Sequence, residues 1–394
     1  MDRRHFITAG AALTLLGPAA DRAFAAATGD ARFVLVILRG GLDGLAAVPA
    51  YGEGRYQSLR GALALPAPGG SDGLLKLDGL FGLHPALVNL HALYAAGELA
   101  VVHAVASPYR ERSHFDGQKV LEAGGTTPTT STGGWLNRAL AALAAESLGR
   151  DAIALAAAVP LVLRGPVNVN SWAPSRLPDT DADTLARVRQ LYESADPEAA
   201  LRLSEALNAR ALAGATGMDG AMRAGGQQLT PLTTAAARFL AAADGPRIAV
   251  LEAGGWDTHA NQGAANGTLA LRLAGLDSGI AAFRDELGPA WRETTVVVVT
   301  EFGRTVAVNG TRGTDHGTAG AAFVTGGAVA GGRIIADWPG LADRDLFEGR
   351  DLMPTLDLRA LFKGVLSEQY GLSAQALDTA VFPGSGGIQP ITLA

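Results

Sequence analysis

Residues 32–38 read RFVLVIL, a continuous apolar run that ends at Gly40 and Gly41. Because apolar and polar residues do not alternate in this run, it predicts a strand that is buried on both faces. Five later runs have the same character: Leu99–Val105, Ile153–Ala158, Arg247–Leu251, Thr294–Thr300 and Ala322–Thr325. The sequence therefore predicts an α/β fold in which a mainly parallel sheet is flanked by helices.

Helical patterns separate the predicted strands. They cover Pro85–Gly97, His114–Ala123, Trp135–Leu148, Thr184–Ala213, Pro231–Ala242, Leu269–Leu287 and Leu356–Leu366. Pro85 and Pro231 each stand where a helix would begin, a position that proline tolerates well. The stretch from about 180 to 243 has helical patterns and no strand pattern. We expect it to be a helical insertion in a single domain that spans residues 26–394.

The composition excludes several classes of protein. Of the 394 residues, 48% are apolar and 18% are charged, which excludes an intrinsically disordered chain. The formal net charge of −6 provides no basic field for binding nucleic acid or anionic lipid. The chain contains no cysteine, which excludes disulfides, thiolate-bound zinc and iron–sulfur clusters.

Residues 1–25 predict a twin-arginine signal peptide. Arg3 and Arg4 precede an apolar run over residues 9–16, and Ala23-Phe24-Ala25 forms an A-x-A cleavage site. The alternative is an ordinary amphipathic start to the chain. The apolar run is shorter than the roughly 20 residues that span a bilayer. We therefore expect a periplasmic or secreted protein without a stable membrane span, exported in the folded state by the twin-arginine machinery.

Candidate metal ligands follow the predicted strands, where ligands bind in open α/β sheets. These carboxylates and imidazoles are Asp43, Asp257, His259, Glu301, Asp315 and His316. Asp257 and His259 are two positions apart, so in an extended segment both side chains point the same way. A set of histidines and carboxylates without thiols suits zinc, manganese or magnesium. The remaining strand histidine, His103, is expected to pack in the core.

Candidate catalytic residues follow the strand at 99–105, where Arg112, Ser113 and His114 precede or begin a helix. Ser113 at a helix amino terminus would lie beside backbone N–H groups, which favour an anion. Arg112 would clamp substrate oxygens. The structural alternatives remain open: Ser113 as a plain N-cap, Asp43 as a turn residue, and Glu301 as an ion-pair partner of Arg304.

Several motifs together resemble the exported family known as domain of unknown function 1501. They are LRGGLDG at 38–44, SHFD at 113–116, GGWDTH at 254–259, TEFGRT at 300–305, TDHGTAG at 314–320, GGAVAGGRI at 326–334 and DWPGL at 337–341. The resemblance covers essentially the whole chain. It implies a three-layer alkaline-phosphatase-like (sulfatase-like) fold.

The resemblance also implies roles for individual residues. Asp43 matches the carboxylate after the first strand, Ser113 the nucleophile, Asp257 and His259 a later metal-binding pair, and His316 the final histidine ligand. Glu301 stands at the first position of an Asp-His ligand pair, whose second position is occupied by Phe302. That site is left with oxygen donors unless His114 substitutes. Sulfate-ester chemistry by formylglycine is not expected, because the required cysteine is absent.

The first hypothesis is a metal-dependent hydrolase of phosphate or related anionic esters. In it Asp257, His259 and His316 hold one ion, Asp43 and Glu301 hold another, and the substrate is a small anion. Mostly carboxylate ligands would favour Mg²⁺ or Mn²⁺. The alternative is a non-catalytic periplasmic binding protein on the same fold with a degenerate metal site. A redox enzyme is disfavoured, since the chain lacks G-x-G-x-x-G and haem motifs.

Overall fold

The structure is a computed structural model that describes residues 30–70, 72–129, 133–145, 151–174, 182–196, 199–200, 203–204, 206–207 and 229–393. The predicted signal peptide at 1–25 lies outside these residues.

The strands are β1 (Arg32–Leu38), β2 (Leu75–Lys76), β3 (Gly82–Leu83), β4 (Leu99–Ala106), β5 (Ala152–Leu155), β6 (Asn170–Ser171), β7 (Ile248–Ala253), β8 (Thr294–Thr300), β9 (Gly320–Thr325), β10 (Arg333–Ile335), β11 (Leu346–Phe347), β12 (Asp351–Leu352) and β13 (Leu356–Asp357). The helices are α1 (Gly44–Ala47), α2 (Tyr56–Arg60), α3 (Val88–Ala95), α4 (His114–Ala123), α5 (Trp135–Ala145), α6 (Ala182–Ala195), α7 (Leu229–Ala241), α8 (Thr268–Leu287), α9 (Leu358–Tyr370) and α10 (Ala374–Ala376).

The main sheet has the strand order β10-β4-β9-β8-β1-β7-β5-β6, and β13 also pairs with β4. Strand β1 lies inside the sheet between β7 and β8, and it is parallel to both. Strand β9 runs antiparallel to its neighbours β4 and β8. The predicted class is confirmed: the fold is α/β, and its sheet is mainly parallel.

Both faces of the sheet are covered, which explains the unalternated apolar runs. All seven residues of β1 are buried. Val34, Val36 and Leu38 contribute to an apolar cluster that includes α3, α7 and α8. Phe33, Leu35 and Ile37 contribute to a second cluster on the other face, with α5 and α9. The sheet is thus the middle layer of three.

The antiparallel strand β9 brings a late loop to the same edge as earlier ones. The loops after β1, β4, β7 and β8 leave the sheet at their carboxyl ends. Because β9 runs the other way, the loop that precedes Gly320 reaches this edge as well. The polar motifs of the loops after β1, β4 and β7, and of both ends of the loop that joins β8 to β9, therefore meet at one edge of the sheet.

Two predicted helix starts differ from the structure. Helix α3 begins at Val88 rather than Pro85, because Pro85 lies in a turn in which His84 Nδ1 accepts a hydrogen bond from the Ala86 backbone, 3.0 Å. Helix α7 begins at Leu229, two residues before Pro231.

The predicted insertion at about 180–243 contains α6 and α7, and its remaining part lies largely outside the described residues. The insertion and the single-domain boundary remain predictions. None of the described helices is both long and apolar enough to cross a membrane.

His103 packs in the core, as expected. It is fully buried in β4, its Nε2 is 3.0 Å from the Val48 carbonyl oxygen, and its Nδ1 accepts a hydrogen bond from the Ala104 backbone, 2.8 Å. Its ring packs against Phe81 and Trp338, with centroid distances of 5.2 and 5.1 Å. Burial lowers the pKa of His103 to about 4, although the Val48 contact opposes the shift.

Replacing Leu35 with alanine tests the central strand. The Leu35 side chain is 1% exposed, so truncation should leave a cavity and lower the free energy of unfolding by about 3 kcal/mol. The matched control is Leu271→Ala on α8, where the side chain is 75% exposed. The control should change stability by less than about 0.5 kcal/mol. Denaturant unfolding measures both; equal effects would contradict the central position of β1.

His103 should make the protein less stable in mild acid. Unfolded His103 binds a proton below its ordinary pKa of about 6.5, whereas folded His103 does so only near 4. The free energy of unfolding should therefore fall as the pH drops from 6.5 to 4, by a His103 contribution on the order of 3 kcal/mol. Denaturant unfolding across this range, with His103→Gln as the reference, isolates the contribution. Parallel pH profiles for the two proteins would contradict it.

Candidate metal centre

Two backbone segments hold the centre of the site together. Residues 303–305 and 315–318 pair as antiparallel chains, with an Arg304–His316 bridge and bonds from Gly303 N to Thr318 O, 2.8 Å, and from Gly317 N to Gly303 O, 2.9 Å. A Cβ at Gly303 would lie 1.9 Å from the Ala319 carbonyl oxygen. Only glycine allows this approach, which sets His316 beside the end of β8.

His114, Asp257 and His316 form a cluster suited to a metal ion. Each offers one ligand atom, and these atoms lie within 4.8 Å of one another. Asp257 Oδ2 is 3.5 Å from His114 Nε2, and Asp257 Oδ1 is 3.4 Å from His316 Nε2. His259 adjoins the cluster, since its Nε2 is 3.0 Å from Asp257 Oδ1 and 2.9 Å from His316 Nε2.

The other ring nitrogen of each histidine contacts an oxygen atom. His114 Nδ1 is 2.8 Å from Glu301 Oε1, His259 Nδ1 is 3.2 Å from Asp315 Oδ1, and His316 Nδ1 is 2.9 Å from the Arg112 carbonyl oxygen. An Nδ1–H that donates to such an oxygen leaves the Nε2 lone pair free to bind a metal. His114 Nε2 is buried and has no hydrogen-bond partner among the described residues.

Arg304 is the cation beside the cluster. Its side chain is completely buried and donates to four backbone carbonyl oxygens, those of Gly40, Gly41, Trp256 and Thr314. It also donates to Asp257 Oδ1 at 2.5 Å. Burial raises the pKa of Asp257, but the bond to Arg304 and its charge outweigh this, and the pKa lies below its ordinary value. Asp257 is thus an anion at neutral pH.

The two histidines of the cluster have opposite shifts in the metal-free protein. The hydrogen bond to Glu301 raises the pKa of His114 despite partial burial. Burial, and then the charge of His114, lower the pKa of His316. His316 is therefore the imidazole that is more readily neutral, which is the form that binds a metal.

Asp43 differs from its predicted role as a metal ligand. It is buried, its Oδ2 pairs with Arg60 and accepts from Gln262 Nε2 at 2.7 Å, and its Oδ1 accepts from the Ala46 backbone at 3.1 Å. The carboxylate caps α1 and its charge is neutralised by Arg60. Asp43 has the structural role that was the open alternative.

Glu301 and Asp315 also differ from their predicted roles. Glu301 is fully buried, and its oxygens accept from the Gly40 backbone, Gln118 and Thr300 as well as contacting His114. Asp315 Oδ1 contacts Asn309 and His259. Both carboxylates orient histidines instead of facing the cluster. A second ion at Asp43 and Glu301 is not supported, because their oxygens are already engaged.

Arg112 is engaged elsewhere than in the predicted substrate clamp. Its guanidinium pairs with Asp351, 2.8 Å, and Glu348, 2.5 Å, and its backbone has a positive φ of 59°. Its carbonyl oxygen is the part of the residue that meets the site, through His316. Ser113 occupies the N-cap position of α4, half-buried, and its side chain makes no capping hydrogen bond among the described residues.

Phe302 fills the position where a histidine ligand was expected. Its ring packs against His114 and His316, with centroid distances of 4.8 and 5.1 Å. His114 supplies an imidazole to the cluster of Asp257 and His316, and not to a separate site at Asp43 and Glu301 as the resemblance left open.

Sequence reasoning missed the orienting contacts. No sequence pattern indicated that the Arg112 backbone carbonyl, and not its guanidinium, would contact His316. The sequence offered Arg304 as an ion-pair partner of Glu301, whereas its buried guanidinium pairs with Asp257 in another loop.

Replacing Arg304 with methionine tests the buried guanidinium. The change leaves four backbone carbonyl oxygens and Asp257 without their donor, so the free energy of unfolding of the metal-free protein should fall by about 3–5 kcal/mol. Arg344→Met is the control, because that side chain is 87% exposed, and it should cost less than about 0.5 kcal/mol. Denaturant unfolding in a chelator measures both. A small loss for Arg304→Met would show that the carbonyl bonds do not hold the loops.

Comparison with known proteins adds a family and a distant structural likeness. No curated protein matches the chain. One similar solved structure is a phosphonate monoester hydrolase of Agrobacterium radiobacter, which is 11% identical, with 87% of this chain and 74% of that chain covered and a TM-score of 0.33. The family profile matches residues 100–381, which include His114, Asp257, His259 and His316. The chain belongs to the family described as protein of unknown function (DUF1501).

Proposed function

We propose that this protein is an exported hydrolase that uses one divalent metal ion to cleave phosphate or related anionic esters. His114, Asp257 and His316 hold the ion, His259 lies beside them, and the fourth tetrahedral position stays open for the ester. The observation that carries the proposal is the orientation of the three imidazoles. Each has its Nδ1 against an oxygen and its Nε2 on the side of Asp257.

The residues fit a metal ion by two tests. The buried His114 Nε2 has no hydrogen-bond partner among the described residues and lies beside Asp257, so its lone pair is available to bind a metal ion. Two ligands of one zinc ion, each bound at about 2.0–2.1 Å, are at most about 4.2 Å apart. The 2.9–3.5 Å separations involving Asp257, His259 and His316 fall within that limit.

The donor set favours zinc over magnesium. The sequence hypothesis weighed Mg²⁺ and Mn²⁺ because it counted Asp43 and Glu301 as ligands. With those two carboxylates engaged elsewhere, the set has two imidazoles and one carboxylate, and the imidazole of His259 adjoins it. Imidazole nitrogen suits Zn²⁺ and is a poor ligand for Mg²⁺.

The chain's own groups suit an anionic ester. A bound divalent ion would act as a Lewis acid that stabilises charge developing on the ester oxygens. The amino end of α4, beside His114, presents backbone N–H groups that favour an anion. The Ser113 hydroxyl stands there half-buried and free of a capping bond, which fits the nucleophile that the family resemblance implies. The resemblance to the alkaline-phosphatase-like superfamily supports hydrolysis at this edge of the sheet.

Export is part of the proposal. A twin-arginine signal at residues 1–25 would carry the folded protein to the periplasm or beyond, so the ion could be acquired before export. The supporting features are Arg3-Arg4, the short apolar run and the A-x-A site.

Metal analysis of the full-length, exported protein tests the site first. The wild type should carry about one equivalent of a divalent ion, with zinc preferred, and His316→Ala should lose it because a tetrahedral site needs each protein ligand. The matched control is His91→Ala on α3, where the imidazole of His91 contacts the Lys76 carbonyl oxygen far from the cluster. Inductively coupled plasma mass spectrometry gives the metal content. Full occupancy in His316→Ala would refute the site.

Hydrolysis is measured on the same proteins with aryl phosphate monoesters, diesters and phosphonate esters. Activity that is present in the wild type and His91→Ala and absent in His316→Ala supports the proposal. A wild type that holds its ion but cleaves none of these esters would favour the binding-protein alternative.

A further inference from the structure

A second basic group stands near the proposed metal centre. Arg272, on α8, is half-buried, and its guanidinium lies against Gly255 in the loop that carries Asp257 and His259. A Cβ added to Gly255 would be 2.7 Å from Arg272 Nη2 and 2.8 Å from its Cζ. Gly255 also has a positive φ of 88°. The glycine therefore leaves the space that the guanidinium occupies.

Arg272 has no hydrogen-bond or ion-pair partner within the part of the chain that the structure describes. The other arginines around the site are engaged: Arg39 with Glu122, Arg60 with Asp43, Arg112 with Asp351 and Arg304 with Asp257. A guanidinium that is half removed from water without a partner is under-satisfied, and its planar fork matches the oxygens of phosphate, phosphonate or carboxylate.

The guanidinium is within reach of a ligand on the metal. Consecutive Cα atoms are 3.8 Å apart, so the Gly255 and Asp257 Cα atoms are at most about 7.6 Å apart. Gly254, Gly255 and Asp257 are all exposed, so the surface between Arg272 and the cluster is open to solvent. A small molecule with two anionic groups can therefore extend from the cluster to the Arg272 guanidinium.

We propose that Arg272 binds a second anionic group of the substrate, so that the preferred substrates are esters with a phosphate, phosphonate or carboxylate several ångströms from the reacting group. This inference rests on the proposed function, because the metal holds the reacting end. It makes Arg272 a specificity-determining residue rather than a catalytic one.

Calorimetric titration of the zinc-loaded, full-length protein with paired probes tests the role. The probes are alkylphosphonates and alkane-α,ω-bisphosphonates of matched, increasing length. At the best length the wild type should bind the bisphosphonate at least about tenfold more tightly, since one added charge-assisted hydrogen-bond pair has that effect. In Arg272→Met the preference should fall to about twofold, the statistical advantage of two equivalent ends, while alkylphosphonate binding is unchanged.

The matched control is Arg292→Met. Arg292 is exposed and precedes β8, at the opposite edge of the sheet from the metal centre. It should keep the full preference. Two outcomes would overturn the role of Arg272 without affecting the metal centre. In the first, the wild type shows no preference for the bisphosphonate; in the second, Arg272→Met keeps the full preference. Binding of neither probe to the zinc-loaded wild type would overturn the metal-centred function, and the role of Arg272 with it.

Discussion

One buried guanidinium holds the loops of the site in register. Arg304 follows β8, yet its bonds run to the loop after β1, the loop after β7 and the segment before β9. Backbone carbonyls are fixed acceptors, so a single planar fork sets the relative positions of segments that are far apart in sequence. The same group lowers the pKa of Asp257 and so favours its charged form at the cluster. Arg304 thus influences both the relative positions of the loops and the charge of Asp257.

The charged residues around the histidines form two groups: those that pair with one another within the fold, and those that contact the imidazoles. Asp43 pairs with Arg60, and the Arg112 guanidinium pairs with Asp351 and Glu348. These charges therefore neutralise one another within the fold. Glu301 and Asp315 instead face imidazole nitrogens and orient rings. Asp257 remains as the carboxylate that faces three imidazoles. A site whose one facing carboxylate is outweighed by the charge of a divalent ion would suit an anion.

The sequence predicted the fold and the position of the site better than the roles within it. The runs at 32–38 and 294–300 match β1 and β8 residue for residue, because strands buried on both faces need apolar side chains throughout. The strand-end rule correctly brought Asp257, His259 and His316 together. The role of a carboxylate, however, depends on which hydrogen-bond donor lies nearest to it, and here that donor belongs to another segment of the chain. Asp43 meets Arg60, and Glu301 meets His114, through tertiary packing that no local pattern encodes.

The antiparallel direction of β9 has a consequence for the order in which the molecule becomes complete. His316 contacts a carbonyl that is 204 residues earlier in the chain. No early fragment of the polypeptide contains the full set of ligands, and the separations are large enough that the loops close only when the sheet has assembled around β1. The centre therefore forms only after the segment before β9 has been synthesised and the sheet has assembled. An ion held there reports that the whole polypeptide, from its first strand to its antiparallel one, has reached its native topology.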